Sequence, residues 1–402
     1  MRCWDMDMQG SAVTQWASAR SALWSGGFRP FFLAAGAFAA FAVPLWVLVL
    51  DSGLGIVGDG DPLHWHIHEM IFGYVGAVVA GFLMTAIPNW TGRLPVRGRP
   101  LMMLFLLWLA GRVAVFVAGL LGPIAAVVDV AFLIVLAGVA WREVISGRNV
   151  RNIPICVVVS LFALANVAFH ADTAMPGAAD YAIRAGLGLI LLLISLIGGR
   201  IVPSFTRNWL AKQGAANMPA ALGAFDKICL GATILAVLAW TVTPETTATA
   251  VLFGLAAALH AARLLRWRGF AARREPLLLV LHVAYAWLPA AMALLAAGVA
   301  WPEIGLSPGI HAFTAGGVGM MTLAVMTRAT LGHTGRALTA GAGTSAIYLL
   351  VFAGAVIRVA ALWLPVDYLL AITVAGGLWS AGFLLFVWVY GPMLLGANVR
   401  KG

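Results

Sequence analysis

Twelve stretches of apolar residues, most of them close to twenty long, run almost end to end through this 402-residue chain. A helix needs about 20 such residues to cross a bilayer, and inside the hydrocarbon each segment must satisfy its own backbone polar groups. The chain is therefore expected to be an all-α polytopic membrane protein. Its spans are predicted at 31–50, 67–87, 101–120, 123–141, 153–171, 181–202, 224–243, 247–264, 276–299, 309–327, 343–364 and 368–390. With 62% hydrophobic and only 10% charged residues it is no soluble domain, where roughly a quarter would be charged. Residues 1–30 then form a cytoplasmic N-terminal segment, 31–390 a single membrane domain and 391–402 a cytoplasmic tail. No signal-peptide core precedes Phe31, so the first span is expected to stay as an anchor.

The formal charge of +10 reflects topology rather than a nucleic-acid partner. Odd-numbered connections carry Asp51, Asp59, Asp61, Asp172, Asp180, Glu245, Glu303 and Asp367, with no Lys or Arg between the spans. Even-numbered ones carry the cations, from Arg93, Arg97 and Arg99 to Arg328 and Arg336. This positive-inside partition predicts that both termini are cytoplasmic. It puts His64, His66, His68, His170 and His311 near the outer face, and His260, His282 and His333 near the inner one. Cys3, Cys156 and Cys229 form no CxxC and suggest neither a disulfide framework nor a zinc ribbon.

Three of the eight histidines fall within five residues, in Pro62-Leu-His-Trp-His-Ile-His-Glu-Met70, at the mouth of the second span. Imidazole binds haem iron, copper or zinc through one ring nitrogen, and ionisable groups at membrane depth are costly and usually functional. Asp61-Pro62 reads as an N-cap followed by proline at the first helical position. If the helix begins there, His64 and His68 share a face and His66 points away; if the start is extended, His66 and His68 share a side. Glu69 can orient a histidine or relay protons.

The span from His68 to Arg93 aligns without a gap to that from His311 to Arg336. The match pairs the two histidines, Gly73 with Gly316, Gly76 with Gly319, and the two Thr-Gly-Arg exits. Residues 201–207, after the sixth span, echo the second exit more weakly. Spans 2, 6 and 10 lie four apart, which suggests three parallel four-helix units with a functional site where they meet. By this repeat His311 and His68 are the expected pair of haem ligands, as in bis-histidine b-type cytochromes, with His66 the alternative partner of His311.

Other polar residues in the spans have narrower readings. Arg112 and Asp129 are expected to form an ion pair. Arg184 and Arg358 are placed to neutralise haem propionates, since arginine holds a carboxylate bidentately. His170 beside Asp172 is either a ligand or an interfacial histidine, and copper would draw on His64, His66, His68 and His170. His260, His282 and His333 are candidates for a second, inner site. No P-loop, dinucleotide-binding fingerprint, CxxCH or HExxH motif occurs, so any haem is expected to be non-covalent.

Five segments in order, Phe28-Arg-Pro-Phe-Phe32, Trp65-His-Ile-His-Glu-Met70, Pro88-Asn-Trp-Thr-Gly-Arg93, Gly198-Gly-Arg-Ile-Val-Pro203 and Leu331-Gly-His-Thr-Gly-Arg336, together resemble the NnrS family. The resemblance covers essentially the whole chain. It implies a twelve-helix bacterial inner-membrane protein that carries haem b and copper and serves nitric oxide metabolism or nitrosative-stress defence. It includes His66 and His68 in the shared signature, whereas His64 precedes it. The implied partners are nitric oxide, the lipid bilayer and an electron donor such as a quinol or a cytochrome. The architecture also resembles the catalytic subunit of haem–copper oxidases, with its three four-helix arcs. This chain lacks histidines in spans 6 and 7, so that subunit's copper trio has no counterpart. The alternative reading is a secondary transporter, in its strongest version one for a metal ion.

Overall fold

Asp61 begins the second membrane helix as its sequence predicts. Its Oδ1 accepts from the backbone N–H of Leu63 and His64 at 2.9 and 3.1 Å, with Pro62 at the first helical position. The computed structural model describes residues 22–53, 61–172 and 174–399. Among these, twelve helices are long and apolar enough to cross a membrane, and no strand occurs. They are α1 (Phe28–Ser52), α2 (Pro62–Thr91), α3 (Arg99–Phe116), α4 (Pro123–Ser146), α5 (Ile153–His170) and α6 (Ala178–Lys212). The second half comprises α7 (Ala224–Val242), α8 (Thr247–Leu265), α9 (Pro276–Ala300), α10 (Ser307–His333), α11 (Ala342–Ala360) and α12 (Tyr368–Leu395). The expected residues Cys3 and Asp59 lie outside the described residues.

Several boundaries differ from the apolar segments, each for a local reason. The cap at Asp61 starts α2 five residues before 67. The third span stops at Phe116, and a single turn, Ala118–Leu121, bridges to Gly122, whose φ of +55° turns the chain before Pro123. Helix α6 runs ten residues past 202, through Pro203, because Arg207–Lys212 ends the apolar run but not the helix propensity. The matched Thr-Gly-Arg exits have a structural meaning: Gly92 and Gly335 both take left-handed φ, +69° and +79°, where a side chain is strained.

Helices α2, α6 and α10 are the most enclosed, with 72%, 67% and 72% of their apolar windows buried against at most 56% for any other span. Both α2 and α10 contain a π-helical stretch, at Glu69–Tyr74 and Ala312–Val318, immediately after His68 and His311. Such stretches are rare and often mark functional sites. The first and last helices pack together, and buried Arg29 ties the chain end to them. Its guanidinium donates to the carbonyls of Met393, Leu394 and Gly396 at 3.2, 2.7 and 2.7 Å, and to Asn398 Oδ1 at 2.5 Å. Arg29 and residues 393–398 thus belong to the packed bundle. Arg29→Ala should destabilise the protein by about 2–3 kcal/mol, the scale of charge-assisted hydrogen bonds, and expose the chain end to carboxypeptidase. Unchanged digestion would refute this anchoring.

Candidate haem and metal site

A helix that starts at Pro62 turns about 100° per residue, so His66 faces away from His64 and His68. His64 and His68 both lie against the Phe169 ring, at 5.9 and 5.0 Å between centroids. His64 is half exposed and paired with Asp61 at 3.3 Å. His66 instead lies flat on the Trp46 indole, 4.9 Å between centroids with 15° between planes. The sequence had left the face of His66 open; the Asp61 cap decides it.

His66 lines a cavity of about 430 Å³ between α1, α2, α6, α10, α11 and α12, within the range of small-molecule and cofactor sites. His311 and Arg358 line the same cavity, with Met70, Tyr368 and Trp379 among its walls. The Nδ1 atom of His66 is buried and has no hydrogen-bond partner among the described residues. His311 Nδ1 lies 2.9 Å from the Ser307 carbonyl, which takes its proton and leaves Nε2 with the lone pair. Arg358 donates to Ser307 Oγ at 3.3 Å and its guanidinium lies 5.9 Å from the Tyr368 ring centroid.

His68 is turned to the opposite side of α2 and does not pair with His311. Its Nδ1 lies 3.0 Å from Glu69 Oε1, and its Nε2 lies 3.0 Å from both Asp129 Oδ2 and Asn166 Oδ1. His170 Nε2 meets the same Asp129 oxygen at 2.9 Å, and Asn166 Nδ2 donates to it at 2.8 Å. Arg112 donates one guanidinium nitrogen to Glu69 and the other to Asp129. The expected Arg112–Asp129 ion pair is thus present, inside a larger cluster. Potential ligand atoms of His68, Asp129 and His170 all lie within 4.8 Å of one another. Two carboxylates against one guanidinium leave one negative charge, which a second proton on His68 or a monovalent cation would cancel.

The π-helical stretch of α2 fits this cluster in place. The Gly73 carbonyl within it accepts from Trp108 Nε1 at 2.9 Å. A Cβ on Gly73 would fall on the Arg112 guanidinium, so only glycine lets that side chain pass. Asn166 was not singled out in the sequence, although a lone asparagine one turn before His170 in an apolar span was the available signal.

The NnrS protein family model matches residues 22–398. The chain belongs to the NnrS family. No curated protein matches it. Membership in NnrS supports a membrane protein of the nitric oxide response and suggests metal or haem involvement; it gives no support to the transport alternative.

The other candidates of this NnrS protein are spread out. Arg184 Nε reaches the Thr241 carbonyl at 3.4 Å, stacks on Tyr181 and does not line the His66–His311 cavity. His260 bonds Tyr285 and Thr233, at 2.8 Å each, beside the buried Arg263–Asp226 pair. His282 bonds Thr206 at 3.3 Å and the Leu278 carbonyl at 3.1 Å. His333 lines a different cavity. Among the described residues, His260, His282 and His333 therefore form no common metal-ligating group.

Proposed function

We propose that this protein binds haem b between α2 and α10, with copper on the adjacent histidine–aspartate cluster, and that nitric oxide is met there. The observation that carries the reading is His66, an imidazole stacked on Trp46 that lines one cavity with His311 and Arg358. A ring held in this way at the wall of a cavity of cofactor size suits an external ligand. His311 is braced as metal-ligating histidines are, with one nitrogen on a backbone carbonyl and the other left for a metal. Arg358 at the same cavity would take a propionate carboxylate, and the aromatic and aliphatic walls suit a macrocycle.

When bound, haem would supply an iron that exchanges electrons. The chain's own residues would hold the ring from two helices, balance its carboxylates and exclude water. On the other face of α2, His68, His170 and Asp129 offer two imidazoles and a carboxylate, a donor set that suits copper. Glu69, bonded to His68 and Arg112, is the proton-relay candidate. A reductive role adds an electron donor, a quinol or a cytochrome.

The test is the absorption spectrum and metal content of the detergent-purified protein. A Soret band, a pyridine haemochrome of the b type and stoichiometric copper are expected; absence of both after expression with haem and copper supplied would overturn the reading. The proposed setting is the bacterial inner membrane with both termini cytoplasmic. A reporter inserted within 172–180 should report the periplasm and one within 266–275 the cytoplasm; the same compartment from both would refute that topology.

A further inference from the structure

A second large cavity, of about 490 Å³, lies at the other end of α2, α6 and α10. From His66 to Asn89 is 23 residues of α2, and from His311 to His333 is 22 residues of α10, roughly 35 Å along a helix. The signature segments converge on this space: Asn89 and Trp90 from the end of α2, Arg200 and Ile201 from within α6, Gly332 and His333 from the end of α10. Nothing in the proposed haem and copper chemistry uses them.

The cavity has the chemistry of an anion site with an apolar floor. Arg200 and Arg328 both line it, and no carboxylate does. Arg200 donates to the neutral Asn152 Oδ1 at 3.0 Å, and its buried Nε has no partner among the described residues. Arg328 lies over the Phe205 ring at 4.2 Å. The acid that acts on Arg328 electrostatically is Glu275, but its Oε1 accepts from the backbone N–H of Leu277 and Ala340 at 3.1 and 3.2 Å. Neither guanidinium forms an ion pair with a described carboxylate. Two such cations facing one space between membrane helices are costly without an anion between them.

Size argues against a bare anion. Beyond the arginines, Thr85, Asn89 and His333 the walls are aromatic and aliphatic, and Phe82, Ile197, Ile201 and Val325 are shared with a smaller, apolar gap of about 80 Å³ between the same three helices. A ligand that fills this shape has a negative head and an apolar body. Basic pockets between membrane helices recognise anionic lipid headgroups in this way.

We propose that this cavity is a binding site for an anionic phospholipid, its phosphate between Arg200 and Arg328 and an acyl chain along the Phe82–Ile197–Val325 wall. His333, at the same cavity with its ring 5.4 Å from that of Phe28 and tilted to it, offers a hydrogen-bond donor to the headgroup. The site is separate from the haem reading and stands without it.

The test is native mass spectrometry of the full chain, delipidated in detergent and titrated with phosphatidylglycerol, phosphatidylcholine or oleate. Phosphatidylglycerol should be retained under activation that strips phosphatidylcholine. Arg200→Gln/Arg328→Gln should weaken that retention by about tenfold or more, the effect of two nearby cations on an anionic lipid. The pair Arg97→Gln/Arg99→Gln, on exposed arginines, should not. Equal retention of the two phospholipids, or an unchanged double variant, would overturn the site. Oleate retained as tightly as phosphatidylglycerol would overturn the phospholipid as occupant in favour of a carboxylate amphiphile. Should the double variant fail to fold, a photoreactive phosphatidylglycerol on the native protein should label peptides containing Trp90 or Phe205; labelling confined to other peptides would equally refute the proposal.

Discussion

His66→Ala should leave the protein without haem, whereas His68→Ala should leave haem in place. The two positions are two residues apart, but about 200° of helix rotation separates their side chains. His66 shares its cavity with His311 and Arg358, while His68 has both ring nitrogens engaged by Glu69, Asp129 and Asn166. Removing His66 deletes a proposed ligand and leaves a void on Trp46, with little other bonding lost. Removing His68 leaves Asp129 and Glu69 without one of their partners, so the expected losses are copper and stability. The measurement is haem and copper per chain in the two variants, with His311→Ala as a third that should lose haem. Full haem content in a stably inserted His66→Ala protein would sink the assignment of that ring, and haem loss in His68→Ala alone would restore the pairing first expected from the repeat.

That expectation shows what the sequence could and could not convey. The gapless alignment of α2 with α10 is real in its consequences: the matched histidines both precede π-helical stretches, and the matched exits both end in left-handed glycines. Matching residues on two helices is a statement about equivalent positions, not about contact. His68 faces α4 and α5, where Asp129, Asn166 and His170 wait. His311 faces the cavity it shares with Arg358 of α11, Tyr368 of α12 and Trp46 of α1. Equivalent residues pointing to successive sectors cannot meet each other. The residue of that segment which shares the cavity of His311 is His66, two residues before His68, a placement legible only once the helix start at Pro62 is fixed.

The membrane spans were legible because length and hydropathy alone are sufficient for a bilayer helix. Their ends were less so: caps and continuing helix propensity, as at Asp61 and along Arg207–Lys212, override the apolar boundary. The π-helical stretches leave no composition signal, and neither does convergence in space. Arg112, Asp129, Glu69 and His170 come from four helices, and nothing in their spacing announces that a single carboxylate of Asp129 joins two histidines. Only the Arg112–Asp129 pair was accessible, because two opposite charges in consecutive apolar spans have few other ways to be neutralised.

The same cluster gives the largest stability effect expected in this protein. Arg112 is the sole cation among Glu69, Asp129 and a histidine, and all three charged side chains are almost wholly buried. Arg112→Met would leave two carboxylates enclosed with only His68, His170 and Asn166 to answer them, and breaking a buried pair by deleting one partner costs about 3–5 kcal/mol. Lysine should not restore the loss, because one ammonium cannot present the two separated nitrogens with which Arg112 meets Glu69 and Asp129. Pairing Arg112→Met with Glu69→Gln removes one positive and one negative charge together, so the double variant should regain part of the stability, by the logic that an absent pair costs less than a broken one. Thermal unfolding in detergent, followed by helical circular dichroism, reads all four proteins. Equal melting temperatures for Arg112→Met and the native protein would mean that the carboxylates are neutralised by some other route, and the guanidinium would lose its place as the keystone of the cluster. A low melting temperature rescued by Glu69→Gln would instead tie the loss to uncompensated charge rather than to the cavity left by the side chain.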